Sequence, residues 1–212
     1  MNRVIVVGAG GHGQVVASIL QDMSQAGAAV EVLGYVDDNE QLQQGTPFEL
    51  PVIGTTNNLH TLRFDTLIVA IGNNERRRDV SKALTAKGYQ LITAIHPTAF
   101  VARSATIGAG SMICAGVIVN PGASIGEHVI LNTGCSVDHH NNIGNLVHIA
   151  PGAHLGGNVS VGPETLIGIG ATILPNVLVG SRCTVGGGAV VIGDVPDGVT
   201  VVGVPAKPVS TG

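Results

Sequence analysis

Three clusters of residues have the types and spacing to do chemistry. Gly8-Ala-Gly-Gly-His-Gly13 fits G-x-G-x-x-G, and Asp37-Asp38 begins 24 positions after Gly13. A glycine loop between a strand and a helix offers backbone N–H groups and a helix N-terminus to a phosphate, and an acidic residue at that distance can accept a ribose hydroxyl. The pair therefore points to a nucleotide diphosphate without saying which one; a tight structural turn is the plainer alternative. The third cluster is Val137-Asp-His-His140, followed by Val147-His148. Imidazole titrates near neutrality and suits proton transfer there.

What must position these histidines is a repeat. In steps of six from Ile95 to Val191, every position is Ile, Leu or Val, seventeen of seventeen. If such residues filled about one position in three at random, the chance would be about 10⁻⁸, so the count decides the period. The residue four later is often small, as at Ala99, Ala105, Ser111, Ala123, Cys135, Ala153, Thr165, Ala171, Cys183 and Ala189, and Gly follows the aliphatic residue in eight hexads. A helix of 3.6 residues per turn cannot keep a six-residue stripe on one face, whereas a short strand plus a bend can. Gly or Asn is expected where the bend needs unusual backbone angles. Three hexads close a triangular coil of eighteen residues, and coils stacked about 4.8 Å apart as parallel strands make a prism roughly 27 Å long. With Val137 facing inward, His139 and His140 fall at an exposed corner, and a residue stacked on His139 is Gly157. Cys135 and Cys183 are packing residues, and His128 and His154 are expected at the surface or at an interface.

The first ninety residues have a different rhythm. Val4–Val7 reads as a buried strand, Gln14–Met23 as a helix, Val30–Val36 as a second strand, and Thr66–Ile71 as a third. A further helix is expected to run to about Lys87, with Gly88 as its stop. That alternation predicts a small parallel sheet of Rossmann type, too short for a full dinucleotide fold. The expected domains are residues 1–92 and 93–212.

Composition removes other classes. Only 11% of residues are charged, Gly supplies 31 of 212, aromatics are 2%, and ten Lys and Arg face fourteen Asp and Glu. No basic field for nucleic acid is present, and the chain is too apolar for disorder. No apolar run approaches the ~20 residues of a membrane span. The N-terminal residues do not read as a signal peptide, and three sparse cysteines without metal-type spacing favour a reducing compartment, so a soluble cytoplasmic protein is expected.

Taken together, Gly8–Gly13, Val36-Asp-Asp38, Ala70-Ile-Gly-Asn-Asn74, Val137-Asp-His-His140, Val147-His148 and Gly203-Val-Pro-Ala-Lys207 resemble the bacterial sugar-nucleotide N-acetyltransferases and sialic acid O-acetyltransferases (PglD/NeuD-like). The resemblance covers nearly the whole chain. It implies a Rossmann-like α/β domain followed by a left-handed parallel β-helix of hexapeptide repeats. It also implies a homotrimer with acetyl-CoA as co-substrate; no metal, nucleic-acid or membrane partner is expected. By position, Gly10, Gly11 and His12 match the pyrophosphate loop, Asp37 and Asp38 the nucleoside contacts, and Gly72 a substrate-contacting backbone position. His139 matches the general base, His148 a contact to the acetyl end, and Ile169 and Gly187 contacts to the pantetheine arm. His140 stands where that family usually has Glu or Asp; a neutral imidazole can orient its neighbour but supplies no negative charge.

The implied reaction moves acetyl from acetyl-CoA to the amino group of a nucleotide-linked amino-deoxysugar, with a UDP-4-amino-4,6-dideoxyhexose as first choice. Such a transfer needs a base for the amine proton and a donor for the developing oxyanion, for which the Gly157 N–H is available. The alternatives are GDP- or dTDP-linked amino sugars as acceptors, O-acetylation of sialic acid, a carbonic-anhydrase-like metal hydratase using histidines of adjacent subunits, and a binding or scaffold protein without activity.

Overall fold

The computed structural model describes residues 1–43 and 49–209, which divide into two compact units, Met1–Pro97 and Thr98–Gly212. In the first unit the order is β1 (Asn2–Val7), α1 (Gly11–Gln25), β2 (Val30–Val36), α2 (Glu40–Gln43), β3 (Val52–Gly54), β4 (Thr66–Val69) and α3 (Asn74–Ala86). The four strands form one parallel sheet in the order β3-β2-β1-β4. Val4 to Val7 form an unbroken buried run, as a central parallel strand covered on both faces requires. The core gathers Ile5, Val7, Val36, Leu59, Leu67, Val69 and Leu84. Helix α1 starts three residues before the position expected from its apolar spacing. The glycine loop itself forms the first turn, with Gly10 as N-cap. Edge strand β3, at three residues, is too short to show an alternation in the sequence.

The second unit is a left-handed parallel β-helix. Two-residue strands recur every six residues and pair with partners eighteen away, as in Ile125↔Ile143, Val137↔Leu155 and Ile149↔Ile167. The stepped aliphatic residues from Ile113 to Val191 are all inside, none more than 3% exposed. Among the described residues, no helix of the chain is long and apolar enough to cross a membrane.

Glycine does two jobs in the coils, and the expected one, at the bends, falls to Gly or Asn at nine of the fourteen corner positions from Gly110 to Gly188. The unusual backbone angles lie three residues after each inward position: every sixth residue from Gly110 to Gly188 has a positive φ, seven of them glycine and seven not, among them His128, His140 and Asn158. A side chain there costs roughly 1–2 kcal/mol of steric strain that glycine avoids. The glycine directly after the inward residue serves close approach. A Cβ on Gly108 would stand 2.5 Å from the Gly126 carbonyl, and one on Gly144 2.7 Å from the Pro163 nitrogen. His128, expected at the surface or at an interface, is instead covered within its own chain. It is only 9% exposed, because its ring lies over the bare Cα of Gly110 one coil earlier.

Candidate functional site

In the first unit a cavity of about 320 Å³ opens at the carboxyl ends of β1, β2 and β4, the usual place for a ligand in a parallel α/β sheet. Its walls include all six residues that the sequence singled out, Gly10, Gly11, His12, Asp37, Asp38 and Gly72, together with Asn39, Thr56, Ile71, Arg76 and Val80. Helices α1 and α3 both begin at this cavity. Their first-turn N–H groups lack intrahelical acceptors, so two partial positive charges face the same space. Gly10, Gly11 and Gly72 have nothing within 4 Å of where a Cβ would stand; their missing side chains leave the backbone open to a ligand. Gly13 differs. A Cβ on it would meet the Gly8 carbonyl oxygen at 2.0 Å, so it is what lets α1 pack against the loop.

The acidic pair also holds the cavity together. Asp37 Oδ2 accepts the Ala9 N–H at 2.8 Å, tying β2 to the glycine loop, while its Oδ1 accepts the Asn39 N–H. Asp38 accepts the backbone N–H and the hydroxyl of Thr56. A carboxylate offers about four lone-pair sites in all, and both side chains line the cavity. Burial, and then the nearby Arg77 charge, pushes the pKa of His12 down to about 4, so this imidazole is neutral at pH 7.

Arg77 was missed. It is fully buried in the first turns of α3, with Nη1 donating to the carbonyls of Ile71 and Gly72 and Nη2 to Asn74 Oδ1. Burial lowers its pKa to about 10, which leaves it charged. The run Glu75-Arg-Arg-Arg-Asp79 reads as a solvated face; the one available signal was the inward phase that Arg77 shares with Ser81 and Leu84.

In the second unit His139, His140 and Gly157 meet at one corner of the prism. His139 and His140 are exposed, with Nδ1 atoms 3.1 Å apart and rings edge-on at 78°. The His139 backbone is held from both sides: its N–H donates to Asp138 Oδ1 at 2.7 Å, and its carbonyl accepts from the Asn158 N–H at 3.0 Å. The His139 N–H, and next the Asn120 side-chain amide at 2.8 Å, hold the Asp138 carboxyl below the usual carboxylate range. Gly157 lies against the His139 ring; a Cβ there would be 2.4 Å from Cε1 and 2.5 Å from Nε2.

The remaining expected residues belong to a different edge. Ile169 and Gly187 stack one coil apart, two-thirds and largely exposed, beyond the strands of Ile167 and Val185. His148 lies on that same sheet, its Nε2 3.2 Å from Asn132 Nδ2. One prism face, at most about 20 Å of extended chain, separates this edge from that of His139. Among the described residues, no group of three or more His, Cys, Asp or Glu side chains is placed to hold a metal ion.

Comparison with known proteins bears on both units. Residues 3–84 match the PglD N-terminal domain. The acetyltransferase domain of PglB from Neisseria gonorrhoeae FA1090, solved in complex with acetyl coenzyme A, is 43% identical, with 98% of this chain and 99% of that chain covered and a TM-score of 0.91. The chain belongs to the sugar-nucleotide N-acetyltransferases. A second member of this acetyl-CoA-dependent family, PerB from Caulobacter crescentus, solved with CoA and GDP-perosamine, is 36% identical over 99% of this chain and 98% of its own, with a TM-score of 0.91. UDP-N-acetylbacillosamine N-acetyltransferase from Bacillus subtilis (strain 168) is 37% identical over 117 residues, which span 54% of this chain and about half, 52%, of that enzyme. Family membership accounts for the pairing of a glycine-loop sheet with a hexapeptide β-helix in one chain.

Proposed function

We propose that this N-acetyltransferase moves the acetyl group of acetyl-CoA to the amino group of a nucleotide-linked amino-deoxysugar, with a UDP-4-amino-4,6-dideoxyhexose as the preferred acceptor. The observation that carries the reading is the exposed His139 imidazole, its backbone pinned on both sides, on a β-helix whose chain also carries a diphosphate-type cavity. In that cavity the bare loop at Gly10 and Gly11, with the first turn at His12, takes the diphosphate; Asp37 and Asp38 take the nucleoside, and Gly72 lies beside the bound ligand. Neutral His12 donates a hydrogen bond without adding charge.

At the corner, the sugar amine attacks the thioester carbonyl carbon while His139 Nε2 takes an amine proton. The tetrahedral intermediate then expels the sulfur, and His139 returns the proton to the departing coenzyme A thiolate, leaving an amide and a free thiol. Gly157, beside the ring, is the backbone nearest to an oxyanion formed there. His148, Ile169 and Gly187 would hold acetyl-CoA, but they lie on another edge of the same prism. One cofactor touches both edges when two chains meet. Phe100, Ile118, Ile169, Leu174, Leu178 and Ile192 are exposed apolar residues that such an assembly covers, and we infer a homotrimer. Three buried free cysteines suit a reducing cytoplasm.

Free thiol release, measured with acetyl-CoA and a panel of UDP-, GDP- and dTDP-linked amino sugars plus sialic acid, tests the acceptor. Preferred turnover of sialic acid would replace N- with O-acetylation. On the best acceptor, His139→Ala should lower kcat by about 10²–10⁴, with the KM for acetyl-CoA little changed. Sedimentation that gives a monomer under assay conditions would remove the shared site.

A further inference from the structure

The corner of His139 carries two imidazoles where one base suffices. We propose that His140 is a positioning residue that selects the tautomer of His139; the inference rests on reading His139 as the base. The two Nδ1 atoms face each other at 3.1 Å. Two neutral imidazoles share such a contact only when one Nδ1 carries a proton and the other is bare. If His140 donates, the proton of His139 sits on Nε2, and no lone pair remains there for an amine proton. If His139 donates, its Nε2 is bare. Base catalysis at Nε2 therefore requires His139 as the Nδ1–H donor and His140 as the Nδ1 acceptor, with the proton of His140 on Nε2. The hydrogen bond at one ring nitrogen sets the state of the other, the job that a carboxylate does for many catalytic histidines.

The surroundings leave this job to His140. Asp138, next in the chain, turns Oδ1 to the His139 backbone N–H and to Asn120. Both rings are seated on glycines of neighbouring coils: that of His139 on Gly157, and that of His140 on Gly122, where a Cβ would be 2.9 Å from its Cδ2. The positive φ of His140, +59°, puts it at the bend of the corner. Alanine at this position would confuse a lost acceptor with backbone strain. Glycine and asparagine both tolerate that bend, and asparagine also offers a neutral oxygen close to where Nδ1 stood.

The test uses the full chain with acetyl-CoA and its best sugar-nucleotide acceptor. His140→Gly should lower kcat by about 10–100-fold with the KM for acetyl-CoA within about twofold, and His140→Asn should recover most of that loss. Long-range ¹H–¹⁵N spectra of histidine-labelled protein, with the His139 signals identified by their loss in His139→Ala, should show a protonated Nδ1 and a bare Nε2. In His140→Gly the proton should move toward Nε2. A His139 protonated at Nε2 in the native protein overturns the proposal, as does a His140→Gly enzyme within twofold of native. If His140→Asn is as damaged as His140→Gly, His140 handles the proton itself and is not a positioning residue. A His139→Ala enzyme that still turns over normally sinks the base reading instead, which separates the two failures.

Discussion

The two units use glycine in opposite ways. At the mouth of the nucleotide cavity, Gly10, Gly11 and Gly72 face open space, and their missing side chains leave room for something that is not protein. In the β-helix, Gly108, Gly126 and Gly144 sit where a Cβ would strike the next coil, so the room is filled by the fold itself. A parallel sheet with helices on its faces leaves a crevice at the strand ends, and backbone N–H groups line it. A stacked prism has no crevice; its chemistry stands on corners, built from side chains seated on the coils above and below. Glycine content alone therefore does not say whether a region binds a ligand or packs against itself.

The largest effect that tests this contrast is in the prism. Ile143 is 1% exposed between Ile125 and Val161, so Ile143→Asp buries a carboxylate in a wholly aliphatic stack. The cost should exceed about 4 kcal/mol and abolish the folded β-helix, read as lost cooperative unfolding of that unit. A normally stable protein would mean that the inward register is wrong.

The glycine loop provides the next comparison. Gly13→Ala should destabilise the first unit by about 3 kcal/mol, because the new methyl overlaps the Gly8 carbonyl. Gly11→Val should leave the melting temperature near native and lower sugar-nucleotide affinity about tenfold or more, with acetyl-CoA binding retained. Calorimetry of both variants with both ligands checks the pair; a Gly11→Val protein that loses both ligands equally would reduce the loop to a support for folding.

A smaller effect is linked to pH. His12 is held to a pKa of about 4 in the folded chain, first by burial and then by Arg77, against about 6.5 when unfolded. Above pH 6.5 the imidazole is neutral in both states. Between about 6.5 and 4 the unfolded chain takes up a proton that the folded one refuses, so stability falls as pH falls through that window. At 1.36 kcal/mol per unit the loss approaches about 3 kcal/mol. His12→Gln should flatten the dependence of denaturant midpoint on pH across this range; an unchanged slope would mean that the titration belongs elsewhere.

The smallest concerns a buried amide. Asn141 is 1% exposed; its Oδ1 accepts the Val159 N–H, but its Nδ2 has no hydrogen-bond partner. Ser111 and Thr165 occupy equivalent slots, where each hydroxyl accepts one backbone N–H and donates to a carbonyl fifteen residues on. Asn141→Thr should copy that arrangement and raise stability by about 1 kcal/mol, a few degrees in Tm. A lowered Tm would show that the slot at this corner is shaped differently from its counterparts.

The sequence by itself determined the prism, its eighteen-residue coil and its inward rows, because a hexapeptide period is a property of the linear chain that only a strand-and-corner unit can satisfy. It also determined that Gly157 lies against His139, since stacking is then arithmetic. The sheet and glycine loop were legible from apolar runs and a motif, and the six cavity residues could be named from it and from family resemblance. Tertiary structure alone decided the rest. Glycines one and three residues after an inward position look identical in sequence, yet the first answers to the next coil and the second to its own backbone angle. Arg77 sits inside a run of charges that reads as solvated until the phase of α3 is known. Asp37 holds Ala9 across 28 residues, and His140 meets His139 through Nδ1. Those contacts depend on side-chain torsions and on chain segments brought together by folding, which no local spacing encodes.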